Sequence, residues 1–130
     1  MKHYHIAAIP GDGIGKEITP EGQRILDFVG QVSGDFKIKW QNFHWNCDYY
    51  QEFGRMMPSD GLEILKEFDA IYFGAVGWPT VPDAISLWQL RLAICQGFEQ
   101  YANVRPAELL PGVSSPLRDP EPGEIDFVVV

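Results

Sequence analysis

The sequence is poor in cationic charge, has almost no cysteine and contains no long apolar run. Ten lysines and arginines stand against eighteen aspartates and glutamates, a formal charge of -8. Nucleic acid and anionic membrane surfaces would repel such a chain, so neither is expected as a partner. No signal-like stretch and no apolar run of about 18 residues is found, which argues against a membrane-spanning helix. Cys47 and Cys95 are the only cysteines and lie far apart, without CxxC spacing. His3, His5 and His44 have no cysteine or carboxylate at ligand spacing. A disulfide framework and a metal site are therefore not expected in this stretch, and cytoplasm is the expected compartment. Internal repeats and low-complexity segments are also missing, so neither a repeat array nor a disordered tail is expected.

What is present is an ordinary soluble domain: 130 residues, 45% hydrophobic and 22% charged, enough to build a core. His3 to Ile9 is a strand candidate, followed by the glycine-punctuated turn Pro10 to Gly15. Ile14, Ile18, Gly22, Ile25, Leu26, Val29 and Val32 then recur at helical spacing, and Gly34 is a stop. Lys37 to Trp45 predicts a second strand, Tyr49 to Met57 an aromatic patch around a short helix, and Ser59 the cap of another helix. Ala70 to Val76 is apolar throughout and predicts a central strand. Strands alternating with helices predict an α/β fold with a mostly parallel sheet covered on both faces. Glu108 to Leu110 and Ile125 to Val130 predict two further strands around a loop rich in proline and glycine. No turn signal follows the last of these, so the chain is expected to be cut short of its domain's end.

Pro82 to Pro106 carries most of the chemistry. On a helix, Leu87, Leu90, Ile94, Phe98 and Tyr101 form one apolar stripe, with Gln89, Gln96, Gln100 and Asn103 opposite. Arg91 lies within the apolar arc, Cys95 one turn on, and Arg105 just past the helix end before Pro106. A guanidinium against a core face calls for an anion. Taken alone, such an arginine more often lies along its own stem with its head in water, and Cys95 can be simple packing. The glycines at 11, 13 and 15 match neither GxGxxG nor GxxxxGK[ST], so a phosphate cradle and a plain tight turn both stay open.

The segments PGDGIG (10 to 15), FGAVG (73 to 77), SLW (86 to 88), QYANVRP (100 to 106) and LLPGVSSPLR (109 to 118) resemble the isocitrate/isopropylmalate dehydrogenase family, in particular its tartrate and D-malate dehydrogenase branch. The resemblance implies the N-terminal part of a two-domain fold that is not a GxGxxG Rossmann fold. Residues 1–103 would begin the larger α/β domain and 104–130 the smaller one, which in the family also forms a dimer contact. It implies NAD, with Ile14 beside the adenosine and Gly74, Ala75, Val76, Gly77 and Asp83 along the nicotinamide ribose. A helix N-terminal charge is an equal reading of Asp83. It also implies Mg2+ or Mn2+, whose ligands, like the catalytic lysine, would lie outside this chain. Ser86, Arg91, Cys95 and Arg105 would form the substrate side.

One position departs from the family pattern. Members place an arginine ten residues before that of the NLRP-like turn; counting back from Arg105 gives Cys95, and Arg91 stands one turn earlier. In isopropylmalate dehydrogenases that earlier position is apolar and faces the branched alkyl group, and a charge there disfavours an isopropyl substituent. The expectation is a small polar 2-hydroxy acid of the malate or tartrate kind, oxidised and decarboxylated by the complete enzyme, with this stretch alone inactive. Isocitrate or 3-isopropylmalate oxidation, and a non-catalytic regulatory or interaction subunit, are the alternatives.

Overall fold

A computed structural model describes residues 1–118, 120 and 123–130. The first strand, β1 (Lys2–Gly11), is the centre of a three-stranded sheet of order β2-β1-β3. Its partners β2 (Phe36–Asn42) and β3 (Ala70–Ala75) both run parallel to it, from Lys2 opposite Phe36 on one side and from Ile6 opposite Ala70 on the other. A strand paired on both edges and covered on both faces must be small or apolar throughout. Ala7, Ala8 and Ile9 meet this and are completely buried.

The two faces are filled differently. The helix α1 (Gly15–Ser33) lies over the face bearing Phe36, Trp40 and Tyr72. It can approach closely because glycine stands at the contacts: a Cβ on Gly22 would overlap the Tyr72 hydroxyl, and one on Gly30 would come within 2.8 Å of the Phe36 carbonyl oxygen. Trp40 Nε1 donates to Asp27 Oδ1 at 2.9 Å. The helix ends at Gly34, whose φ of 71° is left-handed and whose N–H returns to the Gly30 carbonyl, as the sequence predicts. The opposite face, bearing Ala7 and Ile9, packs on Trp45, Cys47, Met56, Leu65, Val81, Leu90 and Ile94. These come from α2 (Cys47–Phe53), α3 (Gly61–Leu65), the segments between the elements and the stretch after β3. Each fully buried large side chain contributes about 1.5–3 kcal/mol of transfer free energy. The parallel α/β architecture matches the sequence reading.

Several local expectations are corrected. Of the apolar positions of α1, Gly22 meets Tyr72 and Leu26 is half-buried, but Ile18, Ile25 and Val32 are 51%, 62% and 71% exposed, while the small residues Gly15, Thr19 and Gly30 are buried. Close approach of helix to sheet selects the smallest side chains, and these outrank the larger ones for the inner face. Ser59 is not a cap; Asp60 holds the cap position of α3, without a side-chain cap bond. The segment after Pro82 is not one helix to Pro106. It comprises α4 (Asp83–Ser86), a π turn (Leu87–Arg91) in which Leu92 N–H reaches Leu87 O, and α5 (Leu92–Gly97). Glu99, at φ 53°, ends it. The stripe therefore stops at Phe98, and Tyr101 is 97% exposed.

Two compact units are distinguished, Met1–Phe98 and Glu99–Val130. The second contains β4 (Arg105–Glu108) paired antiparallel with β5 (Asp126–Val129), Arg105 opposite Val129. The first of these strands was expected three residues later.

Candidate active-site wall

The carboxyl ends of β1 and β3 meet where ligands bind in open α/β sheets. β1 turns at Gly11 (φ 75°) and Gly13 (φ 47°) into α1, and β3 runs out through Val76 and Gly77 (φ 137°). The turn is pressed against β3. Asp12 N–H donates to Ala75 O at 2.7 Å; a Cβ on Gly15 would lie 2.7 Å from Ala75 N and would overlap the Pro10 carbonyl oxygen. A Cβ on Gly74 would strike the same oxygen and come within 2.6 Å of Thr19 Oγ1. The glycine spacing is thus set by backbone packed on backbone, which favours the tight-turn reading over a phosphate cradle.

Asp12, which sequence reasoning passed over, is the polar centre of this junction. It is only 4% exposed. Oδ1 accepts from Cys47 N–H at 2.9 Å and Oδ2 from Gly77 N–H at 3.0 Å. Asn46 reinforces the corner, donating through Nδ2 to Gly11 O at 3.3 Å and capping α2 by accepting from Tyr49 N–H at 2.9 Å. Burial, aided by its hydrogen bond to Asp12, pushes the Cys47 thiol up from 9.0 to about 12, so it stays protonated. Nearby, Lys16 Nζ pairs with Asp48 Oδ2 at 2.6 Å across an exposed surface. Hydrogen bonding to Asp48 holds that ammonium above its ordinary value, partly offset by burial and assisted by the charge on Asp12.

The predicted site residues fall as follows. Ile14, beside the turn, is 58% exposed, and Trp78, 48% exposed, stands 3.6 Å from where a Gly13 Cβ would be. Gly74 and Ala75 end β3, Val76 and Gly77 follow, and Asp83 opens α4 on the surface. Arg91, the last residue of the π turn, is half-buried with no side-chain hydrogen bond or ion pair to any described residue; Cys95 is half-buried one turn on. Ser86 is completely buried, its hydroxyl without a partner among the described residues. Arg105 belongs to the Glu99–Val130 unit, exposed, with Nε donating to Asn103 Oδ1 at 3.2 Å.

The model of the isocitrate/isopropylmalate dehydrogenase family matches residues 5–130. The chain belongs to that family. It is 59% identical over its whole length to a probable tartrate dehydrogenase/decarboxylase of Agrobacterium vitis and 54% identical to the D-malate dehydrogenase [decarboxylating] of Escherichia coli, spanning 36% of each. To the tartrate dehydrogenase/decarboxylase of Pseudomonas putida it is 52% identical over 98% of this chain and 35% of that protein. Among solved structures it superimposes on the apo β-decarboxylating dehydrogenase of Thermococcus kodakarensis with a TM-score of 0.58 and 27% identity, covering 82% of this chain and 29% of that one. The chain thus spans about a third of the length of these relatives, which are decarboxylating dehydrogenases.

The residues present fit one of the two expected cofactors. Ile14 and Trp78 give an exposed apolar rim, and the open space around Gly77 leaves backbone accessible to a flat heteroaromatic group. For a divalent metal there is no fit: no group of three or more histidines, cysteines or carboxylates able to hold one occurs among the described residues. None of the helices described is long and apolar enough to cross a membrane.

Proposed function

We propose that this chain supplies the cofactor-side wall and part of the substrate grip of an NAD-dependent dehydrogenase that oxidises and decarboxylates a small polar 2-hydroxy acid of the malate or tartrate kind. The observation that carries the reading is identity of 52–59% across essentially the whole chain to tartrate and D-malate decarboxylating dehydrogenases. NAD would supply a hydride acceptor for the hydroxyl-bearing carbon. Ile14 packs on its adenosine side, Gly74 to Gly77 border the nicotinamide ribose, and Asp83 at the surface is near enough in sequence to assist. Arg91 offers a carboxylate or hydroxyl a guanidinium that no described side chain has claimed. Cys95 stands one turn on, and Arg105, the arginine of the NLRP-like turn, is the second cation that the family resemblance implies. Ser86 acts behind this wall rather than on its surface.

Dependence on Mg2+ or Mn2+ belongs to the same proposal; no step is assigned to the metal, because the described residues include no group able to hold one. Homodimer formation, a cytoplasmic location, assignment of residues 1–103 and 104–130 to a larger and a smaller domain, and inactivity of this stretch alone are also parts of it.

The test is NADH formation by the complete protein with D-malate, tartrate, isocitrate and 3-isopropylmalate, each with Mg2+ or Mn2+. Malate or tartrate should exceed 3-isopropylmalate in kcat/KM by at least about a hundredfold, the discrimination a site built for a polar group achieves. Arg91→Leu should erase most of that ratio. Preference for 3-isopropylmalate would overturn the substrate assignment, and no turnover with any of the four would favour a non-catalytic subunit.

A further inference from the structure

Gly77 is held by hydrogen bonds more than by packing, with Asp12 as its main partner and the Cys47 thiol as a second one. Its φ of 137° is a conformation that residues with side chains rarely adopt, and no atom lies within 4 Å of where its Cβ would be. Packing therefore does not fix it. Its N–H donates to Asp12 Oδ2 at 3.0 Å, and beyond it the loop is tied by the short Trp78–Val81 bridge and by Gln51 Nε2 donating to Thr80 Oγ1 at 3.0 Å. The other oxygen of the same carboxylate is anchored at 2.9 Å on Cys47 N–H, the first amide of α2. The Asp12 backbone is pinned to Ala75 O. The carboxylate is thus a strut with one end on α2 and the other on the exit of β3.

A buried carboxylate is costly unless its charge is met. Here it forms no ion pair with a described residue and is met by two backbone amides and the Cys47 thiol, bonds stronger than those to a neutral acceptor. A neutral amide side chain would satisfy only one of the two amides, since its NH2 end would face a second donor. The arrangement needs both oxygens as acceptors, and the element it serves at the exposed end is the loop, not the core.

We propose that Asp12 is the positioning residue of the cofactor-side loop, setting the Gly77 amide and the adjacent backbone in the conformation that receives the dinucleotide. This rests on the function proposed above. It differs from a general structural role in predicting an effect on one ligand rather than both.

The test uses Asp12→Asn in the complete protein, with two readouts besides turnover: hydrogen exchange at the Gly77 amide and the dissociation constant for NAD followed by tryptophan fluorescence. Exchange at Gly77 should quicken and NAD affinity fall by about tenfold, the usual loss for one charge-assisted bond, while KM for the 2-hydroxy acid stays within about twofold. Equal loss for both ligands, or unchanged NAD affinity in a wild type that binds it, overturns the inference alone. Failure of the wild type to bind NAD overturns the proposed function, and Gly77 exchange then judges the hold of Asp12 on the loop by itself. Should Asp12→Asn fail to fold, the wild type still decides: Gly77 must exchange more slowly than Thr80, whose amide has no acceptor among the described residues. Equal exchange at the two overturns the proposal.

Discussion

Gly15→Ala should destabilise the protein, against the ordinary expectation for a helix. Alanine in a helix is favoured over glycine by about 1 kcal/mol, and Gly15 is the first residue of α1. Its added methyl, however, would overlap the Pro10 carbonyl oxygen and lie 2.7 Å and 3.1 Å from the backbone N and O of Ala75. All three atoms are backbone, so no rotamer change relieves the clash. The turn must move away from β3, and the bond of 2.7 Å from Asp12 N–H to Ala75 O stretches with it. Overpacking costs about 1–3 kcal/mol even where side chains can yield, so the expected net loss is about 2 kcal/mol or more. The assay is equilibrium urea denaturation followed by tryptophan fluorescence, Trp45 being 4% exposed. Gly34→Ala is the control: nothing lies within 4 Å of its Cβ, so only its φ of 71° penalises alanine, by about 1 kcal/mol. A Gly15→Ala protein as stable as wild type, or less affected than Gly34→Ala, would refute the claim that backbone contact sets the glycine spacing.

Cys47 makes stability depend on alkaline pH. The unfolded chain loses this proton near 9.0 and the folded chain only near 12, so its contribution is complete below pH 9 and is lost between these values. The slope is about 1.4 kcal/mol per pH unit, and Cys47→Ala should remove that share from urea midpoints measured across the window. A thiol reagent at neutral pH should modify Cys95, which is half-buried, and spare Cys47, which is fully buried and protonated; labelling of Cys47 first, read by peptide mass, would contradict the placement. Lys16→Ala and Asp48→Ala should each cost less than about 1 kcal/mol, because the pair is exposed and screened, and the double variant should equal either single one within error of a denaturation measurement.

The sequence was most legible where one local rule governs. The apolar run ending in glycines marks β3 to within a residue, and Gly34 ends α1 where predicted. Legibility failed where the deciding partner is remote. Asp12 looks like any aspartate between glycines until Cys47 and Gly77 arrive from 35 and 65 residues away. Periodicity marks α1 as a helix but does not rank its positions: Ile18, Ile25 and Val32 stay exposed, whereas contact with Tyr72 and Phe36 is made at Gly22 and Gly30. Helical spacing carried the stripe of residues 87 to 98 through to Tyr101, since a periodic count does not register one extra residue in a π turn or a reversal at Glu99. The signal that could have found Asp12 was its type: a charged residue at the tip of a buried strand demands donors.

The place of β1 in the middle of its sheet also dictates an order of assembly. The first segment of these 130 residues to leave the ribosome is the one with the most neighbours to wait for. It can pair with β2 once Asn42 has emerged, but its other edge stays unpaired until β3, tied back through Asp69 to the His5 amide across 64 residues of chain. In a nascent protein this leaves Ile6 to Ile9 beside an open edge for the several seconds that synthesis of the intervening stretch takes at about 5–20 residues per second. Long-range parallel pairing is slow to form, so release of the apolar centre from chaperone protection should await the emergence of Ala75.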